Sequence, residues 1–412
     1  MLTRRSAFKA AAGLAAVSAA GVGPALAADK VVKVGINLSF TGADATSATR
    51  ISDGAILAFE EANKNHEVPG ITFDLEKYDD GTATAGQYDP AQAATNARKM
   101  VSDPGVLAAI GPQMSGAGKA MAPILSAGDL GTITPSSTNP DITDPKFAAQ
   151  YRPNGKAIYF RTVATDAYQG PNMANYMANT LKVKSVYVLD DSGAYGVGIA
   201  DAFQKQAEKD GIKVLGRDRL DPKAADYSAV LTKIKSLNPQ AIYYGGVDQA
   251  GVKLAKQAYD ILPNVIKAGG DGIQSADFLS GAGFPAVEGW YATVAAPHVI
   301  GDPKIADFSK RFVARFGIQP EDYSVTCYTA AQVIIEAVKD LMAHKKDVTR
   351  DAVRQAIQDV NMKNSLLGPI EFDANGDIKN KIISVFQIRK NPDKPLDSPD
   401  DQYSYIGVAP MA

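Results

Sequence analysis

The chain has 412 residues, of which 45% are hydrophobic and 21% are charged, and its formal net charge is −2. The length predicts more than one domain, two being the natural number, and the composition is typical of a soluble globular protein. The slightly acidic charge, without a stripe of basic and aromatic residues, argues against a nucleic-acid partner. Cys327 is the only cysteine, which excludes an intramolecular disulfide. We expect it to be a buried, small apolar residue.

Residues 1–27 have the pattern of a secretory signal peptide. The first nine residues include Arg4, Arg5 and Lys9 and no acid, an apolar stretch rich in alanine follows, and Ala25-Leu26-Ala27 is typical of a cleavage site. The stretch is too short and too rich in small residues for a membrane anchor. We therefore expect export to the periplasm, by either the twin-arginine or the general route.

From residue 31 onward, predicted strands and helices alternate along the chain. Apolar or alternating runs predict strands at 31–40, 71–78, 106–110, 131–134, 158–163, 183–189, 212–217, 240–244 and 265–268. Helical spacing predicts helices at 53–63, 90–101, 116–127, 170–181, 227–237 and 248–261, and one that ends at 209. Asp53 is the expected cap of the first helix. The alternation is typical of parallel α/β sheets with right-handed crossovers.

The last quarter of the chain has a different pattern. Helices are predicted at 307–316, 324–343 and 350–359. Residues 370–388 are interpreted as a hairpin around an Asn-Gly turn. The tail from Lys390 is rich in proline and aspartate, and we expect it on the surface.

Polar residues follow the predicted strands in both halves of the chain. They are Ser115, Ser136, Ser137 and Thr138 in the first half, and Tyr195, Asp248 and Asp271 in the second. Hydroxyls and free N–H groups suit a carboxylate, whereas a lone aspartate suits an ammonium because a buried charge needs a partner. Each residue alone is more typical of a turn. Their joint placement at the carboxyl ends of strands favours a small-molecule carboxylate site.

Motifs for catalysis and metal binding are weak. The three histidines are scattered, no GxSxG elbow occurs, and the glycines at 193–198 follow GxxGxG, not GxGxxG. Residues 373–377 lack the glutamate that closes a calcium loop. We therefore expect no metal, no cofactor and no enzymatic activity, with an exported enzyme as a less favoured alternative.

Several short segments occur in a characteristic order behind the signal peptide. They are Ala109-Ile110-Gly111 with Ser115, Thr134-Pro135-Ser136-Ser137-Thr138-Asn139-Pro140, Tyr168-Gln169-Gly170-Pro171, Tyr195-Gly196, Tyr243-Tyr244-Gly245-Gly246 and Gly368-Pro369-Ile370-Glu371-Phe372-Asp373. Together they resemble periplasmic substrate-binding proteins of ABC importers, of the leucine/isoleucine/valine-binding type. The resemblance covers essentially all of the chain after residue 27.

The resemblance implies an α/β fold with two lobes (type I), each a mainly parallel sheet flanked by helices, joined by three hinge crossovers. Lobe 1 would comprise residues 28–161 and 297–370, and lobe 2 residues 162–296 and 371–412. The protein would be a monomeric extracytoplasmic receptor that binds an amino acid or a related small carboxylate between the lobes. It would deliver this ligand to an ABC permease in the inner membrane.

The resemblance also implies roles for single residues. Ser115 and Thr138, with the backbone of Ser136, would hold the α-carboxylate, Asp271 would face the α-ammonium, and Tyr195 would supply an aromatic face. Two positions depart from the family: Ser47 stands where an aromatic residue is expected, and Val247-Asp248 follow the glycine pair in place of aromatic residues. An aromatic acid, an amide or a urea-like compound is therefore an alternative ligand.

Overall fold

The computed structural model describes residues 29–412, and its first part forms a five-stranded sheet. The elements are β1 (Lys30–Leu38), α1 (Ala45–Lys64), β2 (Ile71–Asp79), β3 (Gly81–Thr82), β4 (Gln87–Tyr88), α2 (Pro90–Ser102), β5 (Val106–Ile110), α3 (Ser115–Ala127), β6 (Thr132–Thr134), α4 (Ala148–Tyr151) and β7 (Tyr159–Arg161). The sheet has the order β2-β1-β5-β6-β7, and all its pairs are parallel. Strands β3 and β4 form a separate small ribbon.

The middle of the chain builds a second sheet. Its elements are α5 (Asp166–Asn179), β8 (Ser185–Asp190), α6 (Ala194–Lys209), β9 (Lys213–Arg219), α7 (Ser228–Leu237), β10 (Ala241–Gly245), α8 (Asp248–Ile261), β11 (Ile266–Gly269), α9 (Ala276–Ala282) and β12 (Tyr291–Val294). The order β9-β8-β10-β11-β12 is parallel throughout. Strands β5 and β10 are buried at every position, as expected where helices cover both faces of a parallel sheet.

The last part of the chain adds helices to the first sheet and two strands to the second. Its elements are α10 (Ala306–Phe316), α11 (Asp322–Ala343), α12 (Arg350–Gln358), β13 (Asn361–Ser365), β14 (Gly368–Glu371), β15 (Ser384–Ile388), α13 (Pro399–Gln402) and β16 (Tyr403–Val408). Strand β15 pairs antiparallel with β12 and with β16. The chain thus passes from one sheet and its helices to the other after β7, β12 and β14. This confirms the predicted two-lobed α/β fold with three crossovers.

Helices α1 and α11 pack so closely that only glycine fits at their contact. A Cβ added at Gly54 would lie 2.0 Å from the carbonyl oxygen of Ser324. The Ser324 hydroxyl donates to the carbonyl oxygen of Arg50 (2.9 Å), and the Arg50 guanidinium pairs with Glu321 (2.8 Å). This contact holds the start of α11, with Glu321 and Tyr323, at the edge of the first sheet.

The predicted start of the first helix was wrong. Helix α1 begins at Ala45, and Asp53 lies inside it as a buried residue instead of capping it. The residues before Asp53 are mainly polar and small, so their pattern does not stand out as a helix. Their helical turn is stabilised by tertiary contacts, since Ser47 and Ile51 are buried against other parts of the chain.

The predicted hairpin at 370–388 was also wrong. Strand β14 pairs back with β13, and β15 joins the second sheet, so only the Phe372–Ile378 bridge spans the Asn-Gly turn. The Asn-Gly pair predicts the turn itself but not the partners of the strands on either side of it. Strand β14 pairs with β13, whereas β15 pairs in the second sheet. The tail after Lys390 is not entirely superficial, because β16 forms an edge of the second sheet and buries Tyr403.

Cys327 lies in α11 without any exposed surface, as expected for a small apolar residue. Burial raises the pKa of its thiol to about 12. Between residues 29 and 412, no helix is long and apolar enough to cross a membrane. The predicted signal peptide, residues 1–27, lies outside the described residues.

Candidate functional site

A pocket lies where the carboxyl ends of strands from both sheets face each other. Its walls come from the segments after β1, β5 and β6 on one side and after β8, β10 and β11 on the other, with the start of α11 between them. About 530 Å³ of space between its walls is not filled by protein atoms, and part of this space is open to solvent. This is the place at which open α/β sheets bind small ligands.

Most residues proposed from the sequence reach this pocket. Those that line it are Ser47, Ser115, Ser136, Tyr195, Asp248 and Asp271. The other two, Ser137 and Thr138, lie behind the wall. The Ser137 hydroxyl donates to Ser115 Oγ (3.2 Å), and the Thr138 hydroxyl is buried without a hydrogen-bond partner among the described residues. Their roles in binding, like those of the lining residues, stay predictions.

Ser115 presents a hydrogen-bond donor to the pocket. Its Oγ accepts hydrogen bonds from the backbone N–H of Asn139 (3.2 Å) and from the Ser137 hydroxyl (3.2 Å). Since both interactions occupy the lone pairs of the oxygen, the hydroxyl proton of Ser115 is left for another acceptor. Ser115 is also the first residue of α3, whose N-terminal N–H groups receive no side-chain cap. This corner therefore suits an anionic group.

Asp271 faces the pocket from the second sheet and is held by three donors. Its Oδ1 accepts from the Tyr195 hydroxyl (2.6 Å) and from Gln169 Nε2 (3.2 Å), and its Oδ2 accepts from the Tyr323 hydroxyl. Burial raises the pKa of the Asp271 carboxyl, while the hydrogen bonds from Tyr195, Tyr323 and Gln169 act in the opposite direction. The side-chain oxygen of Gln169, Oε1, in turn accepts from the Thr293 hydroxyl (2.9 Å). This contact fixes the orientation of the Gln169 amide, so that its Nε2 points toward Asp271.

The charged side chains that line the pocket are all carboxyl groups. Besides Asp271, the lining includes Asp44, Asp248 and Glu321, and the described lining residues include no lysine, arginine or histidine. Glu321 is neutralised from behind the wall by Arg50. Burial raises the pKa of Asp44 and of Glu321 to about 7, and for Asp44 the charge of Asp277 is the next largest cause. The pocket thus offers negative charge that the protein itself only partly balances.

Arg161, which the sequence analysis missed, positions the loop behind Ser115. Its side chain has no exposed surface, and its guanidinium pairs with Asp377 Oδ1 (2.7 Å). It also donates to the carbonyl oxygens of Ser137 (2.6 Å) and Asn139 (2.8 Å). The sequence contains an indication of this role, because Arg161 lies inside a predicted apolar strand and a buried arginine needs hydrogen-bonding partners.

The raised carboxyl pKa values predict a pH dependence of stability. We expect the free energy of unfolding without ligand to fall as the pH rises from about 4 to about 7. Burial raises the pKa of Asp44, Asp80 and Glu321 to about 7, whereas these groups titrate near pH 4 in an unfolded chain. Between these two pKa values the folded state binds more protons than the unfolded state. The stability that this proton binding contributes is complete below the unfolded pKa and is lost as the pH rises through the folded pKa.

Urea unfolding at about pH 5 and about pH 8 measures this effect. Asp44→Asn should reduce the pH dependence, whereas Asp260→Asn, at an exposed position of α8, should leave it unchanged. Stability that increases over this range would contradict the prediction.

Comparison with known proteins identifies a family model, curated relatives and solved structures that resemble this chain. A family model described as periplasmic binding protein matches residues 31–393. The chain is 30% identical to the leucine-, isoleucine-, valine-, threonine-, and alanine-binding protein of Pseudomonas aeruginosa, over 92% of this chain and 95% of that protein. A leucine binding protein of Thermotoga maritima superposes with a TM-score of 0.78 at 25% identity, over 92% of this chain and 98% of that one.

The fold also occurs in a solute-binding protein of R. palustris that was crystallised with benzoate. Its TM-score is 0.74 at 20% identity, covering 93% of this chain and 97% of that one, which establishes a shared fold only. The family match extends over most of the chain, and the Pseudomonas relative is aligned over nearly its full length. The chain therefore belongs to the periplasmic binding protein family.

Proposed function

We propose that this protein is an extracytoplasmic receptor that captures an amino acid in the pocket and delivers it to an ABC permease. The observation that carries the proposal is the pairing of opposite chemistry across one pocket. The Ser115 hydroxyl and the start of α3 suit a carboxylate, and the buried Asp271 suits an ammonium. An α-amino acid presents both groups on one carbon atom.

The lobes that close on the ligand comprise residues 28–161 with 297–370, and 162–296 with 371–412. Two features support this division: the strands of the five-stranded sheet all fall in the first set, and those of the seven-stranded sheet fall in the second. Residues 1–27 direct export to the periplasm, where the monomeric receptor meets the permease.

An aromatic acid without an amino group is the second candidate, since a benzoate-binding protein shares the fold. The lining argues against it. Asp44, Asp248 and Asp271 line the pocket without a basic residue among the described lining, and an anion that lacks a cationic group would leave all three without a positively charged partner. Covalent chemistry is also disfavoured, because the lining residues between 29 and 412 include no histidine that could activate the hydroxyls of Ser115 or Ser136.

A thermal-shift screen of the mature protein tests the proposal. Amino acids should stabilise it, by about 2.7 kcal/mol at about 100 times the dissociation constant. Matched compounds that lack either the amino or the carboxyl group should have little effect, because each leaves one side of the pocket unpaired. A response to aromatic acids alone would contradict the amino-acid assignment, and turnover of a bound compound would point to an enzyme.

A further inference from the structure

We propose that the ligand carries a second cationic group, so that the receptor takes an amino acid whose side chain ends in an ammonium or guanidinium. The inference rests on the proposed function and specifies its substrate class. Two buried aspartates, Asp44 from the first sheet's side and Asp248 from the second's, line the pocket, and each has one carboxyl oxygen without a hydrogen-bond partner among residues 29–412.

Asp44 occupies the N-cap position of α1 but does not cap the helix. Asp277, from α9, does so in its place, because its Oδ2 accepts from the backbone N–H of Ser47 (3.0 Å) and from the Ser47 hydroxyl (3.1 Å). Asp44 is only 1% exposed, and none of the described residues donates a hydrogen bond to its Oδ2. A buried carboxylate oxygen without a donor is costly, so a ligand group is the simplest account of its retention at the pocket.

Asp248 lies on the opposite wall and has the same deficiency. Its Oδ2 accepts from the Ser275 hydroxyl (2.7 Å), and Ser275 Oγ accepts from the backbone N–H of Phe278 (2.8 Å). This chain of contacts orients the carboxylate, which is 3% exposed, while its Oδ1 has no hydrogen-bond partner in the part of the chain that the structure describes. After burial, the charge of Asp44 is the largest cause that raises the pKa of Asp248, which places the two groups within electrostatic reach.

The other charges of the pocket are already assigned. Glu321 pairs with Arg50, and Asp271 is the proposed partner of the α-ammonium. Asp44 and Asp248 therefore form a separate acidic end without a basic residue of the described protein. An ammonium has three donors and a guanidinium five, so either can satisfy both carboxylates. Ile51, Met114 and Val247 line the same pocket and suit the apolar stem of such a side chain.

Calorimetric titration of the mature protein tests this inference with three probes. They are L-lysine, L-arginine and L-norleucine, the last of which has the chain length of lysine without its side-chain ammonium. We expect lysine or arginine to bind about 100-fold more tightly than norleucine, because norleucine leaves the two buried carboxyl groups without a partner. Asp44→Asn and Asp248→Asn should each weaken binding of the basic amino acid by about 10-fold or more and reduce this preference.

Asp260→Asn, an exposed aspartate of α8, is the matched control and should leave all three affinities unchanged. L-Norleucine binding as tightly as both basic amino acids would overturn the inference and leave the proposed function intact. Binding of benzoate in the absence of any response to amino acids would overturn both, as would no binding of any amino acid.

Discussion

Replacing Asp271 by asparagine is expected to weaken amino-acid binding by at least about 100-fold while the protein stays folded. Asparagine keeps the shape of the side chain and one oxygen for the Tyr195 and Gln169 donors, but it removes the charge proposed to meet the ligand ammonium. Loss of one partner from a buried charge pair costs several kcal/mol, which corresponds to a factor of this size. Calorimetric titration with the amino acids that respond in the screen measures the change.

Two controls separate the charge effect from a loss of structure. Thermal unfolding of the variant without ligand should remain cooperative, as should that of Asp260→Asn. The deaminated acid that corresponds to the best ligand should bind the variant no more weakly than it binds the parent protein, since it has no ammonium to lose. Undiminished affinity for the amino acid itself would show that Asp271 does not hold the ammonium.

The second large effect concerns stability. Arg161→Met should lower the free energy of unfolding by about 3–5 kcal/mol, because it leaves the Asp377 carboxylate and the carbonyl oxygens of Ser137 and Asn139 without their buried donor. Ligand affinity should fall as well, since the loop behind Ser115 loses its support. Urea unfolding at neutral pH gives the first quantity, and titration gives the second.

Arg315→Met is the matched control, because Arg315 is half exposed and pairs with the similarly exposed Glu60. Exposed ion pairs contribute about 1 kcal/mol or less. If the two variants lose the same small amount of stability, Arg161 does not have the structural role assigned to it.

The fold was predictable because its signal is local and repeated. Strands and helices alternate along the chain, and parallel strands place their carboxyl ends at one edge. For that reason Ser115, Tyr195 and Asp271, each close behind a predicted strand, could be assigned to one pocket before its geometry was known. The prediction of two lobes and three crossovers came from the resemblance to a family.

Other parts of the site could not be predicted, because they depend on contacts between distant segments. Tyr323 reaches Asp271 from a helix in the last quarter of the chain. The sequence of that helix has the pattern of a buried helix and does not indicate a contact with the pocket. Asp44 follows the first predicted strand in a segment of mainly polar and small residues, which has no helical pattern. Ser137 and Thr138 follow the correct strand, but the sequence does not show which residue of a loop faces the pocket and which faces the core.

The burial of Cys327 makes the protein a suitable background for site-specific labelling. A thiol reacts as the thiolate and needs access to the reagent. Cys327 has no exposed surface and burial raises its pKa to about 12, so it does not compete with a cysteine introduced elsewhere. A fluorophore attached to one introduced cysteine at the pocket rim would therefore report on ligand capture from a single position, without removal of the native residue.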